Sequence, residues 1–188
     1  KLAESPERVA AELRLPVALG PELIAAQGYG SEEVGIACER ARQLCDIVGV
    51  TPQKFPALFV LWSFHCVRAN HVISDKMSAE VLGMAQAVQN NDLLLEAHLT
   101  VGISKFFLGE SRAALDNFNQ CIAMYDPNLH GGHAYQFGQD PAVVALNYSC
   151  WTYWLLGEPK NASRAIQRAL TLGRTLNHPL SLAFALFY

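Results

Sequence analysis

Apolar positions recur along the chain at helical spacing in paired runs, with a short turn inside each pair and a helix breaker after it. The clearest pair is residues 94–127, LLEAHLTVGISKFFLGESRAALDNFNQCIAMYDP. Its first run, 94–108, stops at Gly109-Glu110. Its second, 113–125, stops at Asp126-Pro127, because proline lacks the amide donor and clashes with the preceding turn. Gly102 stands inside the first run, where glycine costs about 1 kcal/mol against alanine, so the pattern implies close approach of the returning helix there. Ala114, Phe118 and Cys121 follow at helical spacing on that helix and supply the matching small and aromatic side chains.

The same alternation runs through the rest of the chain. Residues 5–27 read as helical, with Glu7, Arg8, Glu12 and Arg14 on one side, Val9, Leu13, Val17 and Leu19 on the other, and an interruption at Pro16. Ser31 is the expected N-cap of a helix that reaches Val48, with Glu32 and Glu33 in its first turn and Val34, Ala37, Cys38, Ala41, Leu44, Cys45 and Val48 as its buried stripe. Thr51-Pro52 opens the next element, and 55–70 is apolar nearly all round, which predicts burial between two neighbours. Its return helix, 73–89, carries Met77, Val81, Leu82, Met84 and Ala85 inward. Residues 128–139 read as an irregular loop. Asp140-Pro141 then starts a helix to Gly157, and Pro159 starts another to Gly173. Cys150, Gly157, Ala162, Ile166 and Ala169 fall where Gly102, Gly109, Ala114, Phe118 and Cys121 fall, so the plan repeats, with Asn70 as the turn position of an earlier unit.

Gly102, Gly109, Ala114, Phe118 and Pro127 resemble the pattern of a tetratricopeptide (TPR) hairpin of about 34 residues, with Lys105 and His98 departing from it. The resemblance implies an all-α fold: a right-handed superhelical array of TPR-like hairpins over about 6–49, 52–89, 92–127 and 140–173 and a half hairpin at 179–188, in a single domain. Longer phrases go further. ALGPELIAAQGYGSEEVGIACERARQLC, YDPNLHGGHAYQFGQDPAVVALNYSCWTYWLLGEP and RALTLGRTLNHPLSLAFAL resemble the C-terminal repeat region of large bacterial signalling proteins. In these, a class III adenylate/guanylate cyclase domain or a Ser/Thr kinase domain precedes an AAA-like, STAND-type ATPase and then a TPR-like arm. The resemblance implies a non-catalytic regulatory segment of a larger protein. The missing initiator methionine and the apolar end at 180–188 lead to the same expectation.

Composition narrows the function classes. A net charge of −3 with scattered Lys and Arg gives no nucleic-acid surface. The longest uncharged runs, such as 141–157, are shorter than the roughly 20 residues a spanning helix needs, so no membrane is expected. Five cysteines, Cys38, Cys45, Cys66, Cys121 and Cys150, lie inside predicted helices with no CxxC pair, as expected of small core residues in a reducing, cytoplasmic setting.

Candidate chemistry is sparse. There is no GxxxxGK[ST] or GxSxG string, and Ser63 and His65 point to different helix faces. The expected site is the concave groove lined by first helices: Phe64, Arg68, Ile103, Phe106, Asn147, Trp151 and Trp154, taking a protein segment or another domain of the same parent chain, with no cofactor. Two other readings stay open. One is a small-molecule sensor using the groove or the 128–139 loop. The other is a metal-dependent hydrolase at His130 and His133, with Asp126 and Asp140 near in sequence.

Overall fold

Helix-breaking residues at regular intervals cut the apolar sequence into helices too short to stand alone, so each must bury a face against its neighbours. The computed structural model describes residue 28 and residues 31–48 and 54–187. The expected helix over 5–27 and the Thr51-Pro52 start lie outside these, as do the side chains of Cys38 and Cys45. The described residues are helical or in turns, with no strand among them, and none of their helices is long and apolar enough to cross a membrane. The chain divides into two compact units, Lys1–Val88 and Gln89–Tyr188.

In the first unit, α1 (Glu32–Val48) and α3 (His71–Ala87) both pack on α2 (Lys54–Val67), which explains why α2 is apolar all round. Phe55, Leu58, Phe59, Leu61 and Trp62 are its buried side chains, and the Phe59 and Trp62 rings lie 5.4 Å apart. A methyl group on Gly35 of α1 would stand 2.5 Å from the Phe64 ring, so the glycine is where α2 comes closest.

In the second unit, α4 (Asn91–Phe107) and α5 (Ser111–Met124) form one hairpin, and α8 (Pro141–Leu155) and α9 (Pro159–Thr175) form another. Between them lie α6 (Pro127–His130) and α7 (His133–Gln136), and α10 (Pro179–Phe187) closes the series. The 128–139 segment is thus not an irregular loop. Asp126 caps the first of its two one-turn helices by accepting from the Asn128 amide at 2.8 Å, and proline at N1 presets the helical φ. Asp140-Pro141 repeats the device at α8, where the carboxylate accepts from Val143 N at 2.9 Å. Helix α8 packs on α4, α5, α9 and α10 and is buried from Pro141 to Asn147. The buried residues of helix α9 are all small, Ala162, Ala165, Ala169 and Gly173, which lets its backbone lie close, while Ile166, Leu170 and Leu172 pack partly buried beside them.

The turns repeat a geometry. Ala69, Gln89, Gly109, Gly157 and Asn177 each have positive φ as the middle residue of a three-residue link between helices. After α2, α4 and α8 the next amide reaches back five residues to a free carbonyl: Asn70 to His65, Glu110 to Lys105 and Glu158 to Tyr153, at 2.8–2.9 Å. The first-unit turn therefore centres on Ala69, one residue before the Asn70 that the alignment of repeats selects. Asn70 instead precedes α3, much as Asn90 caps α4 by accepting from Leu93 N.

Candidate functional site

The expected groove residues are divided between the two units. Phe64 and Arg68 belong to the first unit, where the guanidinium lies 5.3 Å from the ring centroid in cation–π geometry. Ile103, expected to face the groove, is 3 % exposed, and Asn147 is fully buried. The reason is that α4 is covered by both α5 and α8, so the buried run from Leu95 to Ser104 takes in nearly every face of the helix. Among the described residues neither amide atom of Asn147 finds a hydrogen-bond partner. Leucine has a similar volume and nothing to desolvate, so Asn147→Leu is expected to raise stability by about 1–2 kcal/mol in thermal unfolding.

Phe106, Trp151 and Trp154 are the predicted residues that reach the surface of the second unit. Phe106 meets the Tyr148 ring edge-on at 5.3 Å and lies 6.1 Å from Trp151, and Phe107 is 6.0 Å from Tyr148. Beyond this half-buried row, at the C-terminal end of α8, Trp154 and Leu155 are 69 % and 67 % exposed. Phe107 and Leu108 are exposed at the matching end of α4. Tyr148, the hub of the row, was not singled out from the sequence; its helical offset of three from Trp151 was the available signal.

The histidines of the connector have structural partners. His130 Nδ1 accepts from the Asp126 amide at 2.8 Å, which leaves the proton on Nε2, 3.3 Å from the Asp92 carboxylate of α4. Its two ring nitrogens are thus both engaged. His133 Nδ1 lies 2.7 Å from Glu96 Oε1, both residues being buried, and the two imidazoles meet edge-on at 5.3 Å. Among the described residues no three His, Cys, Asp or Glu gather where a metal ion could sit, so the donor set of the alternative hydrolase reading does not assemble at His130 and His133. Asp126, one of its presumed members, is spent on a helix cap.

Around this pair the polar groups form a closed network. Asp140 is fully buried, its carboxylate accepts from the Tyr125 hydroxyl at 2.6 Å, and its backbone amide donates to Ser181 Oγ at 3.1 Å. Ser181 in turn donates to His178 Nδ1 at 2.9 Å, while Tyr135, itself exposed, lays its ring against His178 at 4.8 Å. Burial pushes the Glu96 carboxyl up to about 7 against the pull of His133. Burial alone would lower His133, but its bond to Glu96 and the charges of Glu96, Asp92 and Asp140 outweigh that and raise it. Burial also raises Asp140 and holds the Tyr125 phenol and the Cys121 thiol well above their ordinary values. Cys66 is pushed up to about 11 and Cys150 is raised, again by burial. These thiols stay protonated at neutral pH and are poor nucleophiles. The network ties 125–140 to α4 and α10.

Comparison with known proteins adds no relative. The sequence matches no protein-family model and no curated protein. The reading of function therefore rests on geometry and on the repeat plan.

Proposed function

We propose that the chain is a TPR-like helical scaffold, non-catalytic and cytoplasmic, that binds a protein segment or another domain of its own parent chain within a bacterial signalling protein. What supports the repeat reading is the recurring link with a positive-φ middle residue and the repeated placement of Gly102 and Gly109 against Cys150 and Gly157. The observation that carries the binding role is the exposed aromatic end of α4 and α8, where Phe107, Trp154 and Leu155 stand out beyond the Phe106–Tyr148–Trp151 row. Rigid aromatic side chains of this kind supply large contact area at low entropic cost.

A photo-cross-linking residue placed at Trp154 tests the reading. It should capture one defined protein segment in cells, while the same residue at exposed Ser163 of α9 should not. With the cross-linker at position 154, Leu155→Ala should leave stability within about 0.5 kcal/mol and sharply reduce the capture, because the Leu155 side chain is mostly outside the core. Equal labelling from the two positions would sink the proposal.

A further inference from the structure

The second unit carries another surface, on the far side of α9 from its alanine seam. Helix α9 holds Lys160, Arg164, Arg168 and Arg174 and no acidic residue, in a chain whose net charge is −3. Lys160, Arg164 and Arg168 recur every four residues, all exposed, so they form one stripe along the helix. None of the three forms an ion pair among the described residues; Glu158, the nearest carboxylate in sequence, accepts from Asn161 at 2.6 Å.

Arg164 and Arg168 border a groove of about 550 Å³ between α9, the end of α5 and the start of α8. Its floor is aliphatic, from Ile122, Leu146 and Leu172, and Gln167 and Thr171 add neutral polar groups at the rim. Tyr125 forms one wall, with its hydroxyl already committed to Asp140. An apolar trough beside a row of unpaired cations is complementary to a ligand that has both apolar and anionic side chains. Successive cations lie one turn apart, about 6 Å along the helix axis, the same rise that separates carboxylates at i and i+4 of a helical peptide.

We infer that this groove is a docking site for an acidic amphipathic protein segment, which sets its aliphatic side chains on Ile122, Leu146 and Leu172 and its carboxylates on Arg164 and Arg168. A nucleic-acid strand fits less well, since a run of bases needs several aromatic platforms and Tyr125 is the single aromatic side chain among the residues lining the groove. The site is separate from the aromatic end of α4 and α8 and does not depend on what binds there.

The probe is a fluorescein-labelled twelve-residue peptide with leucine and glutamate each at helical spacing, titrated against the full chain by fluorescence anisotropy. Binding should weaken about tenfold or more in the Arg164→Glu, Arg168→Glu double variant, and should fall as salt is raised. Replacing the peptide leucines by alanine should weaken it to a similar degree, whereas Trp154→Ala should leave it unchanged. Both arginines are exposed, so the variant should keep the thermal unfolding profile of the parent. The inference is overturned if charge reversal leaves the affinity intact, if the alanine peptide binds as well as the leucine one, or if a single-stranded oligonucleotide or inorganic polyphosphate competes at lower concentration than the peptide. Loss of the Trp154 cross-link alone would bear on the aromatic surface and not on this one.

Discussion

Replacing Glu96 by alanine is expected to destabilise the second unit by about 3–5 kcal/mol near pH 6, because it strands the buried His133 imidazole without its 2.7 Å partner. Replacing both residues by leucine should recover most of that loss, since an apolar pair needs no compensation for lost water. The wild-type chain should also lose stability as pH rises. A carboxyl in an unfolded chain releases its proton near 4.5, whereas folding keeps it on Glu96 up to about 7, so between these values the folded state holds more protons and a higher pH favours unfolding. His133 acts in the same sense. Its raised value gives a contribution that is complete below 6.5 and lost as pH climbs through the folded value. Asp140, raised by burial, adds to the slope at lower pH. The loss sets in between 4.5 and about 7 and continues as His133 follows, with Asp92, Asp140, Cys121 and Tyr125 as the other titratable groups around the pair. Urea unfolding at several pH values would read it directly. A Glu96→Ala chain whose pH profile runs parallel to that of the wild type would refute the assignment.

The second large effect lies at the closest approach of α4 and α5. A methyl group on Gly102 would stand 2.5 Å from Phe118 Cε1 and 2.6 Å from Cδ1. The ring is fully buried and stacks on Tyr148 at 5.9 Å, so it has little room to yield. Gly102→Ala should therefore destabilise by about 1–3 kcal/mol, even though alanine is the better helix former by about 1 kcal/mol. Phe118→Ala should remove about 3–5 kcal/mol through the cavity it leaves. The two sites are coupled: in a Phe118→Leu background the added methyl should do less harm, and a double-mutant cycle would show the difference. Strictly additive effects would mean that the ring and the glycine do not share the space described.

The helices were legible in the sequence because their ends are written locally. Asp140-Pro141, Glu158-Pro159 and His178-Pro179 each precede a helix, and Gly109 and Gly157 each follow one. The close packing at Gly102 was legible for the same reason, as a glycine kept where alanine would form a better helix. The connector was not, because its two short helices depend on partners far along the chain: His130 on Asp92 and His133 on Glu96. Only one clue was present, a glutamate within the apolar run LLLEAHLTVGI, which a buried face would accept only with a partner. The burial of Ile103 and Asn147 was not legible for a related reason. Helical periodicity tells which residues share a face but not how many neighbours cover it, and α8 covers α4 in addition to α5.

The strap from Tyr125 to Asp140 also governs how the second unit comes apart. In a stack of hairpins that touch only at adjacent faces, the outermost element can peel away and leave the remainder folded. Here hydrogen bonds from one short segment reach α4 on one side and α10 on the other, across 37 to 41 residues of chain. Detaching either end breaks bonds that hold the middle, so the five longer helices of this unit, α4, α5, α8, α9 and α10, are expected to melt in a single cooperative step and to exchange their core amides at a common rate.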